Sequence, residues 1–405
     1  MAKNSCKTII IPIDCSIYED CHKTRRGFRK QLDGIIEEYP ELFPKTIDQG
    51  YDLKGFTRKA SKISVNRRVI QLKNTNDKFL IHPCFILPYL RGITKEVSKG
   101  LRLRKENVSY DTIAATCGRN AMFWYRLEMS LSHKNIVGTT VKSEDKMPDH
   151  ILVDEHHNYL NRQKVYICTT VGSDCFLGAE ITDSVSAEKL KNAYRIFKVA
   201  YSSVFPKHKI LTINTDGFYS TIKAIKELYP DTVYLTCFLH ACLKIQTNIK
   251  RSDQESAYFI LNKAWECYKA KDKTSFAQRI RRLEEITKQR IADGNLKTSI
   301  LNLCNKKDNF IKAYDFHNCH RTSNMLDRLM KFQNRKLDNA QHFHGKLQSA
   351  NNAVRAHALL VNFCPYNSNT IRLNGGITCP FEKLNGFRYR DNWLENLLVA
   401  SSMNG

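Results

Sequence analysis

His150-Ile151-Leu152-Val153-Asp154 is a short apolar run that ends in a carboxylate, and two more runs follow it closely: Lys164-Val165-Tyr166-Ile167-Cys168-Thr169-Thr170-Val171 and Cys175-Phe176-Leu177-Gly178-Ala179-Glu180-Ile181. They are rich in β-branched and aromatic residues, and Asn161-Arg162-Gln163 and Gly172-Ser173-Asp174 separate them as turns, so they read as a three-stranded meander. Ser186 then caps a helix through about Val199, Lys209 to Asn214 form a strand leading into Thr215-Asp216-Gly217, a helix runs from about Tyr219 to Leu228, and Thr232 to Leu235 close the series. Three strands, then alternating helix and strand, predict an α/β fold: a mixed sheet with helices packed against it. If the first and fourth strands are neighbours, Asp154 and Asp216 reach one sheet edge despite their distance in sequence.

The chain returns to that edge much later. Between Leu239 and His320 it is helical and polar, densest in cations at Lys269, Lys271, Lys273, Arg279, Arg281, Arg282, Lys288 and Arg290, and it reads as a helical insertion. Asn324 to Leu337 forms the returning helix, with Thr322 or Ser323 as its cap and Met325, Leu329 and Phe332 as an apolar stripe. Asp327, Lys331 and Arg335 follow a neighbouring line of four-residue steps, which puts an acid and two phosphate-reaching cations on one face. Three carboxylates brought together this way suit divalent metal: paired ions can activate an attacking oxygen and stabilise a leaving one, and magnesium prefers carboxylate oxygen and retained water. Glu155 and Asp149 compete with Asp154, and Glu284 and Glu285 with Asp327. Side chains at 154 and 155 point to opposite strand faces, so the two do not enter one coordination shell together.

Composition sets the partner. The 405 residues carry 64 Lys and Arg against 40 Asp and Glu, a formal charge of +24, which draws a protein toward a polyanion with releasable counterions. No apolar run of about 18 residues offers a membrane span, and Met1 to Asp14 lacks the pattern of a secretion signal, so a cytoplasmic protein with no membrane partner is expected. The 14 cysteines are dispersed and read as reduced thiols. Cys6, Cys15, Cys21 and His22 have irregular spacing, and structural zinc is not expected from them beyond a degenerate site.

The organisation predicted outside the sheet is as follows. Residues 1–50 form a small accessory region without a long helical period. Residues 51–140 form a basic region: Lys54 to Lys73 hold seven Lys or Arg and no acid, and Arg68 to Leu72 and Phe79 to Ile81 make a hairpin about Asn74-Thr75-Asn76-Asp77. Arg58, Lys59, Lys62, Arg67 and Arg68 are its candidate phosphate contacts. Ser109 or Asp111 can cap a first helix and Thr116-Cys117-Gly118-Arg119-Asn120 can turn into a second, a helix-turn-helix candidate in which Arg119, Asn120 and Arg126 face DNA while Met122, Phe123 and Leu127 pack inward. An ordinary helical hairpin fits the same residues. Residues 148–240 with 322–350 form the catalytic unit, 241–321 the insertion, and 351–405 a helical extension in which Trp393, Leu394, Leu397 and Leu398 pack a terminal helix. Arg281, Arg282, Arg328, Lys331 and Arg335 complete the nucleic-acid-binding candidates.

Val153-Asp154-Glu155-His156-His157, Asn214-Thr215-Asp216-Gly217, Cys237-Phe238-Leu239-His240 and Thr322-Ser323-Asn324-Met325-Leu326-Asp327-Arg328, taken as an ordered set, resemble the DDE/D insertion-sequence transposases with a ribonuclease H-like catalytic domain, over about residues 148 to 400. The resemblance implies metal-dependent DNA cleavage and strand transfer with Asp154, Asp216 and Asp327 as metal-binding catalytic residues. It implies magnesium, with manganese as a substitute, and double-stranded DNA partners: terminal inverted repeats and a target. It also implies a homodimer or larger synaptic assembly and, for a prokaryotic source, association with the nucleoid. Many relatives have Glu where this chain has Asp327, one methylene shorter. Cys237-x-x-His240 is similar to an element of Mutator-like and hAT transposases, which would place both residues at the active-site edge. Two alternatives remain open: a ribonuclease H-like nuclease that does not join ends, and a domesticated DNA-binding protein without catalysis.

Overall fold

The computed structural model describes residues 7–56, 65–88, 90–249, 254–292 and 294–403. The architecture is mixed α/β, with two mixed sheets and many helices. Nine strands are described: β1 (Lys7–Ile11), β2 (Tyr51–Phe56), β3 (Arg68–Leu72), β4 (Lys78–Pro83), β5 (His150–Leu160), β6 (Gln163–Gly172), β7 (Cys175–Thr182), β8 (Thr212–Thr215) and β9 (Val233–Thr236).

The five-stranded sheet has the order β7-β6-β5-β8-β9. β5, β6 and β7 form the antiparallel meander, and β8 and β9 add in parallel, with Ile151 beside Ile213 and Ile213 beside Tyr234. The two hairpins are tight because Asn161 and Arg162, and then Ser173 and Asp174, all take positive φ, the left-handed pair that matches the twist of the flanking strands. β5 runs well past its apolar start, through His156-His157-Asn158, so Asp154 lies in the middle of a strand and not at its end.

Helices Ala187–Val204 and Tyr219–Leu228 cover one face of this sheet through Leu190, Tyr194, Phe197, Ala224 and Ile225. The other face takes the helices Asn324–Asn339 and Leu347–Phe363. On the first of these, Leu326, Leu329, Met330, Gln333, Lys336 and Leu337 are buried while Arg328, Lys331 and Arg335 stay exposed. Gln333 Oε1 accepts from Thr169 Oγ1 of β6 at 3.2 Å, which fixes the helix over the strands. The expected stripe of Met325, Leu329 and Phe332 is therefore rotated: Met325 and Phe332 sit at its half-exposed margins.

The four-stranded sheet has the order β1-β4-β3-β2. β3 and β4 form the hairpin about Asn74–Asp77, and β1 joins β4 in parallel, Ile9 beside Ile81. Residues 7–49 are thus not an irregular accessory piece. They supply the edge strand β1 and the helix Arg25–Glu38, which buries Phe28, Leu32 and Ile35 at spacings of four and three. Next in the chain, helices Thr94–Lys105, Tyr110–Cys117 and Ala121–Leu131 pack closely. Gly100 makes this contact feasible, because a Cβ there would lie 2.5 Å from the Trp124 ring. The turn between the last two helices falls at Gly118-Arg119-Asn120, with Ser109 and Asn120 as their caps. Trp124, Leu127 and Leu131 face inward; Met122, expected there, is exposed.

A buried charge cluster ties these helices to the Asn324–Asn339 helix. Glu128 accepts from Arg104 Nε at 2.6 Å, from Tyr110 Oη at 2.7 Å and from Lys336 Nζ. Among the described residues, five helices between 238 and 311 bury a separate core that includes Phe238, Phe276, Ile280, Ile300 and Phe310. The division expected at residue 350 falls inside the Leu347–Phe363 helix, which packs on both β7 and the Ala121–Leu131 helix. Trp393, Leu394, Leu397 and Leu398 are buried on the terminal helix Trp393–Ala400, and Ser402 Oγ accepts from Ile10 N of β1 at 2.9 Å.

Candidate metal centre

Asp154 stands opposite Thr169 of β6. The parallel pairing of Leu152 with Asn214 directs β8 toward Asp216, the residue just past its end. Asp327 enters from the first turn of the Asn324–Asn339 helix, and His240 from the Phe238–Thr247 helix that leaves β9. A ligand-type atom from each of Asp154, His240 and Asp327 lies within 4.8 Å of the other two, and all three residues are half-buried. Asp216 is outside that group. Its Oδ1 caps the turn, accepting from Phe218 N at 2.8 Å and from Thr215 Oγ1 at 3.3 Å.

Electrostatics links all four residues. Burial, then repulsion from Asp216 and Glu155, pushes the Asp154 carboxyl up to about 7, while the Glu155 N–H and His240 pull the other way. Like charges crowded into a half-buried site are relieved by a cation. His240 is held up at about 9, first by its hydrogen bond to Cys237 and then, against burial, by the charges of Cys237, Asp154 and Asp327. Burial pushes the Cys237 thiol up, but hydrogen bonds from His240 and Ser323 outweigh it and leave the thiol below its ordinary value.

Ser323 organises this edge. Its N–H donates to Cys237 Sγ at 3.2 Å, its Oγ accepts from Cys237 at 3.3 Å and donates to Asp327 Oδ2 at 3.0 Å, and His240 Nδ1 lies 3.5 Å away. Ser323 occupies the cap position but makes no side-chain cap bond. Its hydroxyl is directed to the carboxylate instead.

The competing acids are engaged elsewhere. Glu155 points to the opposite face of β5, where Tyr194 Oη at 2.6 Å and Thr221 Oγ1 at 2.7 Å donate to its two oxygens. Asp149 takes His208 Nε2 at 3.0 Å, before the strand begins. Glu284 and Glu285 pair with Lys288 and Arg281 on the insertion. His240 is the residue whose part in the donor group sequence reasoning missed. Its Cys-x-x-His spacing marked the site's edge, but only the return of the chain at Ser323 and Asp327 supplies the neighbouring ligands.

The cationic candidates divide. Arg58, Lys59 and Lys62, with Cys6 of the irregular cysteine group, lie outside the described residues. Arg67 is half-buried at the start of β3. Arg68 is a correction: it is 4% exposed, its guanidinium donates to His22 O at 2.9 Å and lies 4.2 Å from the Phe56 ring centroid, so it braces the N-terminal sheet and is not offered to DNA. Asn120 spends its carbonyl oxygen on Phe123 N at 2.8 Å, and Arg119 donates to Arg91 O at 2.9 Å and stacks over Phe123, so the proposed base-reading pair is occupied within its own turn. Arg126, Arg282, Lys331 and Arg335 are exposed; Arg281 pairs with Glu285 and Arg328 with Asp174. Cys15 and Cys21 bond to Glu19 and to the Tyr18 carbonyl, and His22 stacks on Tyr18 with centroids 5.6 Å apart.

No protein-family model matches this chain, and no curated protein matches it. Among the described residues no helix is long and apolar enough to cross a membrane.

Proposed function

We propose that the chain is a metal-dependent DNA transposase of the DDE/D kind, and that its five-stranded sheet is a ribonuclease H-like catalytic domain. The observation that carries this reading is the meeting of Asp154 from β5 and Asp327 from the Asn324–Asn339 helix, with Asp216 just past the end of the adjoining parallel strand β8. Strand order, parallel extension by β8 and β9, and a helical insertion before the last acid are what that class of enzyme would require.

The donor set fits a divalent cation that displaces the His240 proton: two carboxylates and an imidazole within reach of one another, with Asp154 raised by burial and then by the charges of Asp216 and Glu155. Asp154, Asp327 and His240 would hold one ion, and Asp216 would serve a second beside Asp154. Divalent metal supplies activation of the attacking oxygen and neutralises charge on the leaving one. The residues of the chain do the positioning. Ser323 fixes the Asp327 carboxylate, β5 fixes Asp154, and the Phe218 N–H fixes Asp216. Lys331 and Arg335, exposed on the Asp327 helix, hold phosphates of the strand being cut.

The substrates would be double-stranded ends of a mobile element and a target duplex, brought together by a dimer or larger assembly in the nucleoid. The test is incubation with magnesium or manganese and the DNA flanking the encoding gene, with every cleaved and joined strand mapped. Joined products support a transposase. Cleavage without joining favours a nuclease, and binding without either favours a protein that has lost catalysis.

A further inference from the structure

The Asn324–Asn339 helix has a second functional side. Where it meets the Thr94–Lys105 helix and the C-terminal segment, an open basin of about 700 Å3 forms beside Arg102, Arg335, Phe332 and Tyr366. Its floor is apolar and aromatic. Its rim is cationic, but the rim cations are not equivalent. Asp174 holds both Arg328 and Lys383, and Lys105 pairs with Glu106 at 2.7 Å while lying over the Phe332 ring. Arg102 and Arg335 are exposed and have no ion pair among the described residues.

Two uncommitted guanidiniums beside aromatic side chains in a cavity of this size match the phosphate and base of one unstacked nucleotide. A duplex keeps its bases stacked and would offer such a basin only its phosphates. Eight residues of helix separate Arg335 from Asp327, roughly 12 Å along the axis, so a strand whose scissile phosphate lies at the acids has neighbouring nucleotides within reach. We propose that this basin is a subsite for a single-stranded nucleotide of the DNA, with Arg102 and Arg335 on its phosphates and Tyr366 against its base. The assignment rests on the transposase reading for its position beside the reacting strand; the chemistry of the basin stands on its own residues.

The test uses the full chain in EDTA, fluorescein-labelled dT10 as the single-stranded probe, and a duplex of the same length. Tyr366→Ala is expected to weaken dT10 binding about tenfold, the usual scale for loss of one stacked base, and to leave duplex affinity within twofold. Tyr366→Phe keeps the ring and is expected to bind dT10 as the parent does. Arg335→Ala, at an exposed position where folding is not at stake, is expected to weaken dT10 binding severalfold. A 5-iodouracil oligonucleotide irradiated on the parent protein should crosslink within the peptide that carries Tyr366. Equal losses for dT10 and duplex, no loss in any variant, crosslinks only elsewhere, or displacement of dT10 by a polyglutamate peptide at similar concentration would each overturn the subsite. Metal-dependent cleavage that is absent while the dT10 pattern holds would instead sink the transposase reading and leave the basin standing.

Discussion

Replacing Glu128 with Gln removes one charge from a place that water does not reach. The Glu128 side chain is fully buried, and its partners Lys336 and Arg104 are 8% and 12% exposed. Burial alone would push this carboxyl up, yet Lys336 and Arg104 bring it from 4.5 down to about 2. At 1.36 kcal/mol for each unit, that difference is about 3 kcal/mol of folding stability, in line with the several kcal/mol lost when one partner of a buried pair is removed. The sign follows from the direction: a depressed carboxyl stabilises the fold fully above pH 4.5, and the contribution fades as pH falls toward 2. Urea denaturation followed by tryptophan fluorescence suits the test, since Trp124 is buried on the same helix. Glu128→Gln should unfold about 3 kcal/mol more easily at pH 7 and should lose most of that deficit near pH 3. Replacing all three groups together, Glu128→Leu with Arg104→Met and Lys336→Met, should recover much of the loss, because no charge is then stranded. A deficit at pH 7 under about 1 kcal/mol, or one unchanged at pH 3, would refute the idea that this cluster holds the two regions together.

Four further expectations concern the site and its support. Asp154→Asn, Asp216→Asn and Asp327→Asn should each nearly abolish metal-dependent cleavage and retain most DNA binding in a mobility-shift assay; equal cleavage by all three would remove the catalytic assignment. In EDTA at pH 8, Asp154→Asn should melt above the parent, since burial and Asp216 hold the parent's carboxyl up at about 7 and its ionisation works against folding; added manganese should reverse that ranking. The same raised carboxyl makes the parent's EDTA stability fall as pH climbs from about 4 to 7, a trend that Asn should flatten. Cobalt(II) bound to the parent should show a visible spectrum that changes on His240→Ala, with affinity lowered about tenfold or more; an unaltered spectrum would place the imidazole outside the coordination shell. Gly100→Ala should cost more than about 2 kcal/mol through overpacking against Trp124, and Trp124→Leu in that background should return part of it in a thermal melt.

The meander was legible because three runs of β-formers are joined by residues that tolerate left-handed turns, Asn161-Arg162 and Ser173-Asp174. The proximity of Asp154 and Asp216 was legible once β5 and β8 were taken as neighbours. Less was visible where contacts are long-range. β1 pairs with β4 across some seventy residues, and nothing local in Lys7–Ile11 announces a parallel partner. The Arg25–Glu38 helix shows only three buried apolar residues in fourteen, too sparse to stand out among its charges. Arg68 reads as a surface cation until Phe28 and Phe56 close around it. The β5 strand continues through His156-His157-Asn158 because β6 pairs with it to the end, which polar side chains alone do not advertise. His240 could be placed near the acids from its Cys-x-x-His spacing, but its share in the donor group depends on Ser323, which lies far along the chain and draws Asp327 to the same point.

The Lys336–Glu128 contact also determines how this molecule can be taken apart. A fragment beginning after residue 140 would strand a buried ammonium on the helix that carries Asp327 and strip the cover from the Leu347–Phe363 helix, so fragments cut down to the five-stranded sheet and its helices should come out of expression insoluble. The helices from 254 to 311 share their nucleus with Phe238, Cys242 and Ile245 of the helix that carries His240. Excising them would uncover that helix, so a smaller protein has to keep the insertion and take its cuts elsewhere.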